Sequence, residues 1–233
     1  LLHTSFWCLW CRAYFYTYTL IIENSMYNQN QLMFQWLSPS FPTGSFNFSQ
    51  GLEYAVSRSM VKDEIDLVEW IENNLEHGFL KNDAIFLKLA YHISKDKDLD
   101  DLTEKCLAFS CSALKLDEQV LTGDNFAKAS DTQLGLPYPI ALGTAARKHK
   151  FKIEELIPLF LQSNISNLIA AAQRLLPLGH KKSTSILKNL FEKINEISRK
   201  VLLSTEKDLF SSCYLADTCT LLHEEFQGKI FKS

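Results

Sequence analysis

Apolar residues recur at intervals of three and four along most of this chain, and the stretches carrying that period are cut by glycine and proline rather than by hairpin turns. This is the period of an α-helix that buries one face. Ile65, Val68, Ile71 and Leu75 mark such a face between Asp63 and Gly78. Leu99, Leu102, Cys106, Phe109 and Ala113 mark another, and Ile186, Leu190, Ile194, Ile197 and Val201 a longer one closed by Ser204 and Thr205. Gly78, Gly135-Leu136-Pro137 and Pro177-Leu178-Gly179 act as stops, and Pro158 sits early in a helical pattern, marking either its first turn or a kink. No run alternates apolar and polar residues between turn signals, so strands are not expected. The pattern predicts an all-α single domain of about nine or ten helices joined by short turns. A length of 233 residues with 46% hydrophobic content suits one large core.

Charge and cysteine usage narrow the class further. A formal charge of −3 and a pI near 6.1, with no long basic run, give no general attraction for nucleic acid or anionic membrane. Six cysteines without regular spacing do not form a disulfide framework and are expected as free thiols in a reducing cytoplasm. The first 25 residues are aromatic-rich, broken by Arg12, and carry neither a 20-residue apolar run nor the basic start and cleavage site of a secretory signal. We read 1–25 as an upstream or non-native extension, with translation starting at Met26 and the domain occupying 26–233. Cys8 and Cys11 form a CxxC inside that extension, without the βαβ context that redox chemistry requires.

The densest cluster of backbone-directing residues is Ser38 to Glu53, SPSFPTGSFNFSQGLE. Pro39 and Pro42 fix φ and withhold amide donors, and Gly44 admits backbone angles closed to other residues, so a helix must stop and the chain must turn. Ser45 or Asn47 can then cap the next helix, with Phe46, Phe48, Leu52 and Val56 dividing between a core stripe and a second face.

This segment resembles the signature of the UreF family of urease accessory proteins, in which a Pro-x-Gly-Gly-Phe turn runs into Ser-x-Gly-Leu-Glu. Here the matching residues are Pro42, Gly44, Ser45 and Phe46, then Ser49, Gly51, Leu52 and Glu53. Ser45 stands where the family usually has a second glycine, which places an angle best suited to glycine on a serine. Two further blocks follow in the family's order. Tyr138-Pro139-Ile140-Ala141-Leu142-Gly143 and then LIAAAQRLLPLG from Leu168 to Gly179 resemble its central helices and Ala-Ala-x-Arg-x-x-Pro-Leu-Gly turn, with His180 in place of the usual Gln. HEEFQGKIFKS from His223 to Ser233 resembles the family's closing His-Glu and Arg-Leu-Phe-Arg-Ser, with Lys229 and Lys232 where arginines are usual. The similarity runs from about Leu32 to Ser233.

The residues themselves offer little catalytic chemistry. There is no GxxxxGK[ST] loop for phosphates, no HExxH, no G-x-S-x-G elbow and no paired zinc-type cysteines. Cys219 and His223, four apart on one helical face with Glu224 adjacent, are the best metal-like pair, and thiolate with imidazole suits nickel; the alternative is a half-buried cysteine beside a helix-end histidine. Glu53 lies in the first turns of a helix, where a carboxylate complements the dipole. Arg174, near a helix end, caps carbonyls, pairs with Glu53 or faces a partner. The tail after Gln227-Gly228, about 227–233, sets Ile230 and Phe231 between Lys229 and Lys232. That composition suits docking, with Phe231 as the anchor and the lysines at its rim, the alternative being that Phe231 folds back onto its own domain.

The resemblance implies a non-catalytic cytoplasmic scaffold that joins UreD and the GTPase UreG on urease apoprotein, so that nickel enters the urease active site. It further implies that this chain modulates GTP hydrolysis by UreG and forms a homodimer; the missing phosphate loop leaves GTP to that partner, and a nickel contact, transient at most, is placed by residue type and spacing on Cys219 and His223. The expected partner-binding residues are Gly44, Ser45, Phe46, Ser49, Gly51, Glu53, Arg174, Pro177, Gly179, His180, Glu224, Lys229, Phe231 and Lys232. A helical enzyme with a site assembled from Glu53, Arg174, His180 and His223 is the alternative from a different class.

Overall fold

A computed structural model describes residues 28–232, so the reading of 1–25 and the Met26 start lies outside the described residues. A helical segment over 28–37 (α1) leads into ten α-helices: α2 (Leu52–Ser57), α3 (Glu64–His77), α4 (Phe79–His92), α5 (Asp96–Ala108), α6 (Ala113–Ser130), α7 (Tyr138–Lys148), α8 (Ile153–Leu175), α9 (His180–Asn189), α10 (Phe191–Leu203) and α11 (Tyr214–Leu222). Short 3-10 turns occupy Ser45–Asn47, Glu206–Asp208 and His223–Glu225. Among the described residues there is no strand, as the missing alternation predicted.

Helix ends follow local chemistry. The Asp63 side chain accepts from the amides of Ile65 at 2.9 Å and Asp66 at 3.1 Å, which starts α3, and Ser112 accepts from Lys115 N at 3.1 Å, which starts α6. Pro158 is inside α8, five residues after its start. The long apolar run from Ile186 to Val201 is divided at Leu190 into α9 and α10, yet all five predicted stripe residues are buried. In α3 the predicted face is rotated: Ile65 is 72% exposed, and the buried side is Leu67, Trp70, Ile71, Asn74 and Leu75. Trp70, the largest apolar side chain in the helix, is buried with Leu67 and carries the face round toward them.

α4 is the central element, packed against α3, α5, α7, α8 and α10. Leu80, Ala84, Ile85, Phe86, Leu87 and Ala90 bury it on several sides. Its approach to α7 is close because Gly143 has no side chain; a Cβ there would lie 2.4 Å from the Leu87 carbonyl oxygen. Trp36 of α1 closes one end of the core, with its ring 5.2 Å from Phe126, 5.1 Å from His149 and 5.1 Å from Phe151. The described cysteines, Cys106, Cys111, Cys213 and Cys219, are free thiols as expected. Among the described residues no helix is long and apolar enough to cross a membrane.

The short α2 lies between α8 and α11, and this places the segment after Ser38 beside the C-terminus of the chain.

Candidate functional site

The opening and closing blocks singled out in the sequence meet at the carboxylate of Glu53, and the LIAAAQRLLPLG block reaches the tail through Arg174. The turn that delivers Glu53 is built on two left-handed residues in succession, Gln50 at φ 54° and Gly51 at φ 80°. Gly51 is required twice, by that φ and because a Cβ would sit 2.7 Å from the backbone nitrogen of Thr220 on α11. Ser49, fully buried, accepts from the Glu53 amide at 3.3 Å. Gly51 is therefore the residue preceding α2, in place of the expected cap at Ser45 or Asn47. Those two residues lie in a 3-10 turn of their own, preceded by Gly44 at φ 80°.

Ser45 is not in a left-handed conformation, which corrects the expectation that it occupies a glycine-type angle. The one positive φ of that turn falls on Gly44, and the Ser45 hydroxyl instead accepts from Asn167 Nδ2 of α8 at 3.1 Å and from Thr43 Oγ1 at 3.2 Å. Phe48 and Leu52 enter the core, whereas Phe46 is 63% exposed.

Glu53 is buried and receives three hydrogen bonds. The amide of Ile230 donates to Oε1 at 2.6 Å, the amide of Phe231 donates to Oε2 at 3.1 Å, and His223 Nε2 lies 2.8 Å from Oε2. A buried carboxylate needs such partners, since burying it unpaired is costly. The C-terminal tail is thereby held by its own backbone. Phe231 is 2% exposed, the guanidinium of Arg174 stands 4.2 Å from its ring centroid, and the amide of Lys232 donates to the Asn47 carbonyl at 2.8 Å. The docking expectation is corrected in this respect: Phe231 folds back onto its own domain, while Ile230 beside it is 60% exposed. The physical reason is the acceptor at Glu53, which satisfies two tail amides that a free terminus leaves to water.

The other predicted residues take distinct places. Arg174 stacks on Phe231, which was not among its expected roles. Pro177, Gly179 and His180 form the exposed turn after α8, with His180 Nδ1 3.1 Å from Gln173 Nε2. Glu224 accepts from the amides of Ala113 at 2.7 Å and Leu114 at 3.4 Å, so it caps the start of α6. Lys229 and Lys232 are exposed, and Lys229 Nζ lies 3.5 Å from the Glu224 carbonyl. Glu53 and His223 of the four-residue enzyme alternative do come together; Arg174 reaches the tail instead, and His180 turns to Gln173.

Cys219 and His223 do not present an open ligand pair. His223 is fully buried with Nε2 engaged by Glu53, and the Cys219 thiol contacts Met60 Sδ at 3.8 Å. Burial pushes the Cys219 thiol up to about 11, which holds it in the protonated form that binds metal poorly. Among the described residues no three His, Cys, Asp or Glu side chains gather as a metal-binding set.

Sequence reading missed Thr220 and Asn167 and took Asn47 for a helix cap where its carbonyl accepts from the tail, because these roles depend on which elements lie side by side. It also missed a buried charged network behind Gly51. Lys115 Nζ lies 3.5 Å from Glu118 Oε2 and 3.9 Å from Asp83 Oδ2, Gln119 Nε2 donates to Asp83 at 2.9 Å, and Gln50 Nε2 donates to Glu118 at 2.7 Å. Burial pushes the Asp83 carboxyl up to about 6 despite Lys115. The Lys and Glu three apart on a polar-looking helix gave no sign of burial.

Comparison with known proteins finds relatives along most of the chain. Residues 61–191 match the family model described as UreF. A urease accessory protein UreF of Agrobacterium fabrum is 36% identical over 208 residues, covering 85% of this chain and 93% of that protein. Its counterparts in Roseobacter denitrificans and a Ruegeria species are 33% and 35% identical, covering 85% and 86% of this chain and 91% and 96% of theirs. Matched over more than half its length by the family model and over most of it by these relatives, the all-helical chain belongs to the UreF family of urease accessory proteins.

Proposed function

We propose that this protein acts by binding and not by catalysis, as a cytoplasmic scaffold that joins UreD and the GTPase UreG on urease apoprotein and modulates GTP-dependent nickel insertion into the urease active site. It works in this assembly as a homodimer, leaves GTP binding to UreG, and holds no cofactor stably; any nickel contact is transient. The observation that carries the reading is the use made of Glu53 and His223. The two groups best suited to acid–base chemistry are buried and occupied in fixing the chain's own tail. Around the locked tail, Ile230, Lys229 and Lys232 stay exposed, with exposed Arg174 against Phe231 and exposed Phe46 next to the Asn47 carbonyl that the Lys232 amide reaches. Exposed apolar side chains among cations form the kind of surface that another protein covers.

The test is co-purification with UreD and UreG, followed by urease activation in a strain lacking this gene. The expected result is a stable complex and restored urease activity, with Phe46→Ala and Ile230→Ala weakening assembly while the melting temperature holds. Purified protein that turns over a substrate alone, or urease maturation that proceeds equally without this chain, overturns the proposal.

A further inference from the structure

Away from the Glu53 site, α3 forms a ridge between two open grooves. On one side a groove of about 350 Å³ is lined by Met60, Trp70 and Asn74 and by Tyr214 and Leu215 of α11. On the other, a groove of about 470 Å³ lies between α3 and α9, lined by Ile65, Val68 and Ile186 with Lys182 at its edge. Glu69 borders both, so the two form one saddle across the helix.

The apolar walls of this saddle are open to solvent. Ile65 is 72% exposed and Tyr214 77%, with Leu215 and Met60 also exposed. The charge along the ridge has one sign. From Glu64 to His77 the helix carries Glu64, Asp66, Glu69, Glu72 and Glu76 and no lysine or arginine. Glu64 pairs with Lys182 at 2.8 Å, and Glu76 with Lys193. Asp66, whose Oδ2 accepts from the Lys62 amide at 2.9 Å, lies with Glu69 and Glu72 along the crest; Glu69 has no ion pair among the described residues, and Glu72 feels Lys193 only through space. Trp70 and Asn74, 4% and 0% exposed, lie among the lining residues of the groove beside α11.

We propose that this saddle docks a cationic amphipathic segment of a partner protein, its apolar side chains in the two grooves and its lysines or arginines on Asp66, Glu69 and Glu72. Complementary charge selects that occupant: a second copy of this saddle brings the same negative ridge, and an anionic lipid surface is repelled by it. The proposal adds a second contact surface to the scaffold reading and rests on that reading only for the source of the segment.

Two measurements test it. In the first, a fluorescein-labelled helical peptide with alternating lysine and leucine faces is titrated onto the full chain and followed by anisotropy. The double variant Glu69→Lys, Glu72→Lys is expected to weaken it about tenfold, with a marked salt dependence. A matched variant on the exposed acidic α5, Asp98→Lys, Asp101→Lys, is expected to leave it unchanged. Equal loss in both variants, or none in either, overturns the proposal. In the second, a photo-crosslinker at position 65 is activated in the complex with UreD, UreG and urease apoprotein. Capture of a lysine- or arginine-rich segment of a partner supports the site, and capture of a second copy of this chain or of no partner within an assembled complex refutes it. Failure of the complex to assemble at all counts against the scaffold reading and leaves the peptide titration to decide the surface.

Discussion

Glu53→Ala is the substitution through which the tail lock is best judged. It removes the acceptor of the Ile230 and Phe231 amides and the partner of His223 Nε2. Each hydrogen bond to a charged group contributes roughly 1.5–3 kcal/mol, but the tail can detach and expose its amides to water, so the loss is not three times that figure. Detachment instead forfeits the burial of Phe231, about 1.5–3 kcal/mol, and the Arg174 stacking, about 0.5–1 kcal/mol. His223, buried deeper, stays behind without its acceptor. The expected total is about 3–5 kcal/mol, or about 6–20 °C in melting temperature for a domain of this size. Thermal unfolding followed by circular dichroism gives the total, and amide exchange at Ile230, Phe231 and Lys232 reports the tail itself. Glu53→Gln keeps the shape but turns an amide donor toward tail donors, so it is expected to rescue little. A Glu53→Ala protein whose Ile230 and Phe231 amides stay as protected as in the parent refutes the lock, whatever its melting temperature.

Related outcomes follow from the same geometry. Removing residues 228–233 is expected to cost a few kcal/mol in urea denaturation, because Phe231 leaves the core. Gly51→Ala is expected to destabilise by at least 2 kcal/mol in the same assay, since φ is 80° and the new methyl meets the Thr220 backbone. Ser45→Gly is expected to lose about 1 kcal/mol and gain nothing, as Ser45 holds Asn167 and needs no left-handed angle. For Asp83, the folded carboxyl stands at about 6 against 3.8 for the ordinary group. The unfolded chain therefore binds fewer protons between those values, and this residue's contribution to stability falls by up to about 3 kcal/mol as pH rises from 4 to 6. Subtracting the urea stability of Asp83→Asn from that of the parent across this range is expected to reveal that slope; a flat difference refutes it.

Much of the architecture was legible because helix formation is largely local. The stops at Gly78 and Pro177-Leu178-Gly179, the start of a helix after Asp63 and the buried stripe from Ile186 to Val201 each depend on neighbours within a turn or two. The rotated face of α3 shows where periodicity fails: Ile65 and Trp70 are both apolar, and only the packing of α3 in the whole fold decides which is covered. The same limit applied at the Glu53 site. The three blocks were visible as separate motifs, yet Glu53 and the Ile230 amide are 177 positions apart, and nothing local pairs them.

What the sequence determined alone was the all-helical class, the family through three ordered blocks, and the residues worth watching within them, since side-chain period, turn chemistry and motif order are properties of the chain. What tertiary structure alone decided was their use. α2 is held between α8 and α11, which brings a carboxylate from one end of the domain against the amides of the other. A tail rich in apolar and cationic residues looks like a free docking arm until that acceptor is in place. Once it is, burying Phe231 and satisfying two amides together outweigh the freedom the tail gives up.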